Sequence, residues 1–237
     1  MSKLLVIGHR GASSAAPENT LPSFRLAAEL GFQMIELDVQ LSKDKEVVVI
    51  HDETLERTSS GRGFVCAHTL SDLKKLDAGI WFGPEFNGTG IPTLEEVFSS
   101  LPSQIGLNIE LKTGKLDYPG IEKKVLAIIN RFKAQHRVII SSFNWESLSS
   151  IHRLEPKLKL GMLFKQVKPE LWSKARLLNV FSIHPALELI SADLVWQAHC
   201  WGYRVYPWVV NDRDTVLKLT EMGVNGFFTD YPQFLTK

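Results

Sequence analysis

The sequence predicts an α/β fold in which eight parallel strands alternate with helices and close into a barrel. Short runs rich in Val, Ile and Leu alternate along the chain with segments of helical periodicity, as is typical of a parallel sheet. The 237 residues accommodate eight such units as one domain, residues 1–237. An open doubly wound sheet is the alternative, but no glycine-rich nucleotide-binding loop follows the first strand.

The predicted strands are short apolar runs bounded by turn residues. They are residues 4–7, 34–40, 106–112, 138–142, 160–164, 180–183, 204–210 and 226–229. Helices are predicted between them because Pro22 lies near the start of the first, Gly31 follows its end and Gly223 ends the last. The predicted helices are residues 21–30, 93–100, 120–134, 146–154, 169–178, 187–200 and 214–222.

Residues 52–92 interrupt the alternation of strands and helices. They follow a further apolar, strand-like run at 47–50 and are too long for an ordinary connection. We interpret them as a small insertion that lies over the catalytic end of the barrel. Because Trp81, Phe82 and Phe86 belong to it, we expect these rings to wall one side of a pocket. The alternative is that they only pack the insertion onto the barrel.

Two apolar segments carry charged residues at every second position. Side chains of a strand alternate between faces, so Glu36 and Asp38 share one face of their strand. Asn108, Glu110 and Lys112 likewise share a face of another. Three carboxylates in one confined space repel each other unless a proton or cation neutralises them. A hard divalent cation bound by oxygen ligands is the simplest solution.

Further charged and aromatic residues fall at predicted strand ends, where barrel enzymes place their active groups. His9 and Arg10 follow the first strand, and His51 follows the run at 47–50. Lys112 is the last residue of the third strand, and Trp208 lies near the end of the seventh. Two histidines suit general acid and base catalysis, and an arginine suits a phosphate group, so the set predicts a phosphodiester substrate. Arg10 pairing with a carboxylate of the cluster is the structural alternative.

Composition narrows the location and the partners. A net charge of +1 gives no polybasic field for nucleic acid or an anionic membrane, and no apolar run approaches the ~18 residues of a membrane span. The first residues contain too short an apolar run for a secretory signal. Only two cysteines occur, Cys66 and Cys200, which favours a reducing compartment. We expect a cytoplasmic protein without membrane insertion; the sequence does not predict its oligomeric state.

The chain resembles the glycerophosphodiester phosphodiesterase family over essentially its whole length. The resemblance depends on several ordered motifs. They are His9-Arg10-Gly11, Pro17-Glu18-Asn19-Thr20, Glu36-Leu37-Asp38-Val39, His51-Asp52-Glu53-Thr54-Leu55-Glu56-Arg57-Thr58 with Gly61 and Gly63, Ile91-Pro92-Thr93-Leu94-Glu95-Glu96, Ile109-Glu110-Leu111-Lys112, Trp208-Val209-Val210-Asn211 and Gly226-Phe227-Phe228-Thr229-Asp230-Tyr231-Pro232.

The resemblance implies a TIM (β/α)8 barrel with a small insertion after the second strand. It implies that Glu36, Asp38 and Glu110 bind one divalent cation, Mg²⁺ or Ca²⁺, and that His9 and His51 are the acid–base pair. The implied reaction converts glycerophosphodiesters, such as glycerophosphocholine or glycerophosphoethanolamine, to sn-glycerol 3-phosphate and an alcohol. Attack by the substrate's 2-hydroxyl through a cyclic phosphate and direct attack by water both remain open.

Two other functions compete with this interpretation. A metal-assisted enolising or aldol barrel enzyme has no need of paired histidines. A catalytically silent phosphate-binding barrel is disfavoured because His9 and His51 are both intact. We therefore expect an enzyme in which Arg10, Lys112 and Trp208 contact the substrate.

Overall fold

The computed structural model describes residues 4–114, 116 and 118–231; Pro232, the last residue of the final motif, lies outside this part. The strands are β1 Leu5–Gly8, β2 Met34–Leu41, β3 Val47–Val49, β4 Gly106–Leu111, β5 Val138–Ser142, β6 Lys159–Phe164, β7 Ser182–Pro185, β8 Arg204–Val205 and β9 Gly226–Thr229. The helices are α1 Leu21–Glu29, α2 Leu70–Leu73, α3 Leu94–Ser100, α4 Ile121–Arg131, α5 Trp145–Leu154, α6 Leu171–Leu177, α7 Ala192–Cys200 and α8 Arg213–Met222. No helix in the described residues is long and apolar enough to cross a bilayer.

Eight of the strands form a parallel ring. Their order is β8-β7-β6-β5-β4-β2-β1-β9. Backbone hydrogen bonds bridge the remaining gap between the last two: the Asn225 amide donates to the Val205 carbonyl at 3.1 Å, and the Phe228 amide to the Pro207 carbonyl at 3.0 Å. The predicted barrel is therefore confirmed over the open sheet.

The pairing of β2 with β4 brings the two charged segments together. Their register sets Glu36 opposite Asn108 and Asp38 opposite Glu110. The intervening residues of β2, such as Ile35 and Leu37, are fully buried in the apolar layer beneath the helices. Burial of that face fixes the register, because a slip of one residue would exchange the two faces of the strand.

Strand β3 pairs in the antiparallel direction with the last residues of β2, with Val39 opposite Val49 and Leu41 opposite Val47. The link between them is a tight turn in which the Lys45 amide donates to the Ser42 carbonyl at 3.0 Å. A connection this short permits only an antiparallel partner. The chain consequently reaches His51 from a strand outside the ring.

The insertion has a small apolar core of its own. Val65, Leu73 and Ile91 pack there with Val48 and Ile50 from the β3 segment. The insertion is thus attached to the barrel through β3 and the residues that lead from it to His51.

Most element boundaries differ from the prediction by three residues or fewer, and two differ by more. The strand predicted at 204–210 is only Arg204–Val205 in the structure, because Pro207 has no amide proton to donate to a ladder. The helix predicted at 187–200 begins at Ala192, where the Ser191 side chain accepts from the Leu194 amide as an N-cap.

Candidate active site

A cleft of about 970 Å³ opens at the carboxyl ends of the ring strands. Of the eight residues predicted for the site, the seven that line it are His9, Arg10, Glu36, His51, Glu110, Lys112 and Trp208. The eighth, Asp38, is 1% exposed and lies within the acidic cluster beneath. The structure therefore brings all eight together.

Glu36, Asp38 and Glu110 form a buried acidic cluster in which carboxylate oxygens of all three lie within 4.8 Å of one another. Burial, reinforced by the charges of Asp38 and Glu110, raises the pKa of Glu36 well above its usual range. Burial also raises the pKa of Glu110. It opposes ionisation of Asp38 too, but the charges of Lys112 and Arg10 outweigh it and hold that pKa below its usual range.

The chain's own cations only partly neutralise this cluster. The Lys112 Nζ lies 2.8 Å from Glu110 Oε1 and 3.5 Å from Asp38 Oδ1. On β4, opposite Glu36, the buried Asn108 Oδ1 has no hydrogen-bond partner among the described residues. Three carboxylates and a carbonyl oxygen without a donor are the ligand types that Mg²⁺ and Ca²⁺ prefer. The residues present therefore fit a hard divalent cation.

His9 is held by a carboxylate from the opposite end of the sequence. Its Nδ1 lies 2.7 Å from Asp230 Oδ1, and Asp230 also accepts from Asn211 Nδ2 at 2.7 Å and Ser13 Oγ at 3.0 Å. Burial favours the neutral acid, but the hydrogen bond and charge of His9, with those of the other donors, lower the pKa of Asp230 to about 2. With Nδ1 bound to Asp230, Nε2 is the ring nitrogen of His9 that remains available in the cleft.

His51 has a similar partner supplied by its neighbour in sequence. Its Nδ1 lies 2.6 Å from Asp52 Oδ1, and Arg57 Nε donates to the other oxygen of Asp52 at 2.6 Å. Burial, with the charges of Arg10 and Lys112, lowers the pKa of His51 against the opposing effect of Asp38 and Asp52. His51 is therefore favoured in its neutral form, with Nε2 available.

Arg57 ties the insertion to the barrel. Its guanidinium donates to both carboxylate oxygens of Glu18 at 2.7 and 2.8 Å while also binding Asp52. Glu18 in turn accepts from Arg10 Nη1 at 2.7 Å. Burial opposes ionisation of Glu18, but hydrogen bonds and charges from the two arginines lower its pKa. One ionic network thus extends from His51 to Arg10.

Arg10 pairs mainly with carboxylates. Besides its bond to Glu18, its Nε lies 3.4 Å from Asp38 Oδ2, and its backbone amide donates to Glu36 Oε2 at 2.9 Å. This is the alternative that the sequence left open. Contact between Arg10 and a phosphate stays a prediction.

Gln40 supports the segment that carries His51. Its side-chain Nε2 lies 3.0, 3.0 and 2.7 Å from the carbonyl oxygens of Ile50, His51 and Asp52. The Tyr118 hydroxyl donates to Gln40 Oε1 at 2.6 Å, which fixes the orientation of the amide. Sequence reasoning missed Gln40, although it shares a strand face with Glu36 and Asp38. It also missed Asp52 and Asp230, both of which belong to the recognised motifs.

The aromatic wall of the cleft differs from the prediction. Trp208 lines it as expected, together with Phe143, and their ring centroids are 5.5 Å apart. The insertion contributes Asp52, Glu53 and Thr54 to the lining instead of the three aromatic residues expected there. Those three pack edge to face on one another, with centroid distances of 5.6 Å between Trp81 and Phe82 and 5.5 Å between Phe82 and Phe86. The expectation for these rings is therefore wrong.

A parallel barrel with ionic and acid–base groups gathered at the carboxyl ends of its strands has the architecture of a barrel enzyme. Residues 9–234 match the model of the glycerophosphoryl diester phosphodiesterase family. The chain belongs to this family. The resemblance and the enzyme class that it implied are confirmed over the enolising, aldol and silent alternatives.

The chain matches individual relatives over most of their length. The chain is 46% identical to the glycerophosphodiester phosphodiesterase of Caldanaerobacter subterraneus subsp. tengcongensis, covering 98% of this chain and 96% of that protein. It is 35% identical to a glycerophosphodiester phosphodiesterase of Bacillus subtilis, covering 99% and 86%. Among solved structures, an Oleispira antarctica phosphodiesterase in complex with the product sn-glycerol-3-phosphate has a TM-score of 0.88 at 34% identity, covering 98% and 94%.

Proposed function

We propose that this chain hydrolyses glycerophosphodiesters, such as glycerophosphocholine or glycerophosphoethanolamine, to sn-glycerol 3-phosphate and an alcohol. One observation carries the proposal: two histidines, each with Nδ1 on a carboxylate, line one cleft with a buried acidic cluster. The relative from Oleispira antarctica, which binds sn-glycerol-3-phosphate as its product, supports the choice of substrate.

Glu36, Asp38 and Glu110 would hold the divalent cation, Mg²⁺ or Ca²⁺. When bound, the cation supplies a Lewis acid that neutralises charge on the non-bridging phosphate oxygens. Lys112 adds a positive charge beside the same carboxylates. Arg10 and Trp208 complete the proposed contacts to the substrate.

In the first step, the 2-hydroxyl oxygen of the substrate's glycerol attacks phosphorus while the bond to the alcohol oxygen breaks. His51 Nε2 takes the hydroxyl proton, because its neutral form is favoured. His9 Nε2, protonated and oriented by Asp230, gives a proton to the leaving alcohol oxygen. Water then opens the cyclic phosphate with the two histidines in reversed roles, which releases sn-glycerol 3-phosphate and restores both protonation states.

An analogue without the 2-hydroxyl tests this route against direct attack by water. The phosphodiester of 1,3-propanediol keeps the phosphate, the alcohol and the chain length. If the 2-hydroxyl is the nucleophile, this analogue binds as a competitive inhibitor and is not cleaved. Cleavage at a rate close to that of the glycerol compound would establish direct attack by water.

The proposed activity itself is tested by following release of sn-glycerol 3-phosphate from glycerophosphocholine and glycerophosphoethanolamine. We expect turnover with Mg²⁺ or Ca²⁺, loss of turnover in excess chelator, and recovery when the cation is returned. Turnover that persists in excess chelator would contradict the cation's part, and no turnover of any glycerophosphodiester would contradict the function.

The arrangement of the chain belongs to the same proposal. We regard 1–237 as one phosphodiesterase barrel domain, with 52–92 as an insertion over its catalytic end. The lining contributed by Glu53 and Thr54 supports this view. A cytoplasmic location is supported by two free cysteines, Cys66 and Cys200.

A further inference from the structure

One corner of the cleft is formed by Phe143, Lys165 and Trp208, which we call the aromatic corner. The three residues follow β5, β6 and β8, whereas the acidic cluster and the histidines come from β1, β2, β4 and the β3 segment. The aromatic corner therefore belongs to the other half of the barrel rim. Because the aromatic corner lines the same cleft as Glu36 and Glu110, a substrate with its phosphate at the acidic cluster could extend one arm towards the corner.

The Trp208 ring of this corner is fixed by hydrogen bonds, but the cation near it is not. Trp208 Nε1 donates to the His184 carbonyl at 2.9 Å, and its backbone amide donates to the Pro185 carbonyl at 3.2 Å. The Lys165 Nζ lies 5.7 Å from the Phe143 ring centroid and 5.5 Å from that of Trp208. Lys165 is exposed, and cation–π contacts at exposed sites are weak.

Lys165 differs from the other permanent cations of the cleft. Arg10 and Lys112 are both ion-paired with buried or half-buried carboxylates. Within the described part of the chain, Lys165 has no carboxylate partner. Its ammonium is therefore available to an anion at a small loss of ring contact.

We propose, on the basis of the function proposed above, that Lys165 selects substrates by the charge of their alcohol arm. The preferred class consists of glycerophosphodiesters whose alcohol carries a second anionic group, such as a terminal phosphate. The glycerophosphate half is common to all of these substrates, so only the alcohol can be distinguished by its charge. A quaternary ammonium arm would otherwise suit the two rings, but Lys165 already supplies a cation there and repels it.

The test compares three substrates that share the glycerophosphate half. Their alcohols are choline, glycerol and a glycerol bearing a terminal phosphate. We expect wild-type kcat/KM to rise in that order. Lys165→Gln should reduce the preference for the anionic over the cationic substrate about fivefold, and Lys165→Glu should reduce it further, with the differences shrinking at high salt. Lys168→Gln is the matched control, since Lys168 is exposed on the same segment and lies over the Trp145 ring at 5.0 Å.

Each other outcome overturns the inference in a recognisable way. If the ratio of kcat/KM for the anionic substrate to kcat/KM for the cationic substrate is unchanged in both Lys165 variants, Lys165 does not distinguish alcohols by their charge. An equal change for all three substrates would mean that it contacts the shared glycerophosphate. A similar change in Lys168→Gln would indicate a general surface-charge effect. If the wild-type chain hydrolyses none of the three, the proposed function itself fails, whereas hydrolysis without charge preference removes only this inference.

Discussion

His9 and His51 have equivalent partners but unequal surroundings. Both present Nε2 to the cleft because Nδ1 is bound to a carboxylate. Burial and the charges of Arg10 and Lys112 lower the pKa of His51. The favoured neutral form of His51 is what assigns it as the first base in the proposed reaction, and His9 takes the part of the first acid.

The first prediction removes each imidazole in turn. His9→Ala and His51→Ala should each lower kcat by about 10²–10⁴-fold, because an acid or base is lost while the cation site remains. Steady-state kinetics check the rate, and calorimetric cation titration checks that binding is kept. A folded variant with near wild-type kcat would remove that histidine from the mechanism.

The second prediction concerns the cost of burying three carboxylates. Glu36→Gln should raise the melting temperature of the cation-free protein by about 2–4 °C, the shift that ~1 kcal/mol produces in a chain of this size. It removes the carboxylate whose ionisation is most opposed by burial and by its neighbours. The same change should weaken cation binding. Glu29→Gln, at an exposed position on α1, is the control and should do neither. Lower stability in Glu36→Gln would contradict this view.

The third prediction uses the pKa of Asp230, which is lowered from 3.8 to about 2 in the folded chain. A carboxylate whose pKa is lower in the folded chain than in the unfolded chain stabilises the fold at pH values above its pKa in the unfolded chain. This contribution is lost as the pH falls towards and through its pKa in the folded chain. Relative to Asp230→Asn, wild type should be more stable by about 2 kcal/mol at pH 6, and the difference should vanish towards pH 2. Denaturant unfolding at several pH values measures it. A difference independent of pH would show that the charge of Asp230 does not matter.

Among the elements, β3 has the largest effect on the site for its length. It is a three-residue strand outside the ring, yet it delivers His51 and joins the insertion to the barrel. Its continuation is held by Gln40, whose side chain binds three successive carbonyls. Strand β2 therefore also helps to position His51, through the side chain of Gln40.

The fourth prediction tests that support. Gln40→Met keeps the length of the side chain but removes its amide, and it should lower kcat about 10–100-fold, as misplacement by roughly 1 Å does. The Michaelis constant and cation affinity should change little. Tyr118→Phe keeps the amide contacts to the carbonyls and should have a smaller effect. Equal kcat in folded Gln40→Met and wild type would show that the His51 segment holds itself in place.

Features that depend on neighbouring residues could be predicted from the sequence, whereas contacts between residues far apart in the chain could not. Glu36, Asp38 and Glu110 lie on two strands in which charged and apolar residues alternate. The apolar residues of the opposite faces are buried, so this alternation could be recognised from the sequence. The bond between His9 and Asp230 joins residues 221 positions apart, so no local period reveals it. The insertion's aromatic residues were misjudged because composition does not tell which side of a short loop a ring faces.

At the scale of the whole molecule, the cation site joins two strands and so couples binding to the fold. The fifth prediction is that Mg²⁺ or Ca²⁺ raises the melting temperature of wild type in a concentration-dependent way. A cation at about 100 times its dissociation constant adds ~2.7 kcal/mol if it binds only the folded chain. Differential scanning calorimetry measures the shift, and Glu36→Gln should lose most of it. An equal shift in both proteins would place the cation elsewhere.

The bond between His9 and Asp230 also determines when the site is completed during synthesis. Among the nine described strands, β1 emerges from the ribosome before the others, whereas its strand partner β9 and the carboxylate of Asp230 emerge after them. A nascent chain can therefore carry both histidines and the whole acidic cluster while one histidine still has no orienting group. Under the proposed mechanism, a chain that stops before β9 therefore lacks the carboxylate that orients its first acid.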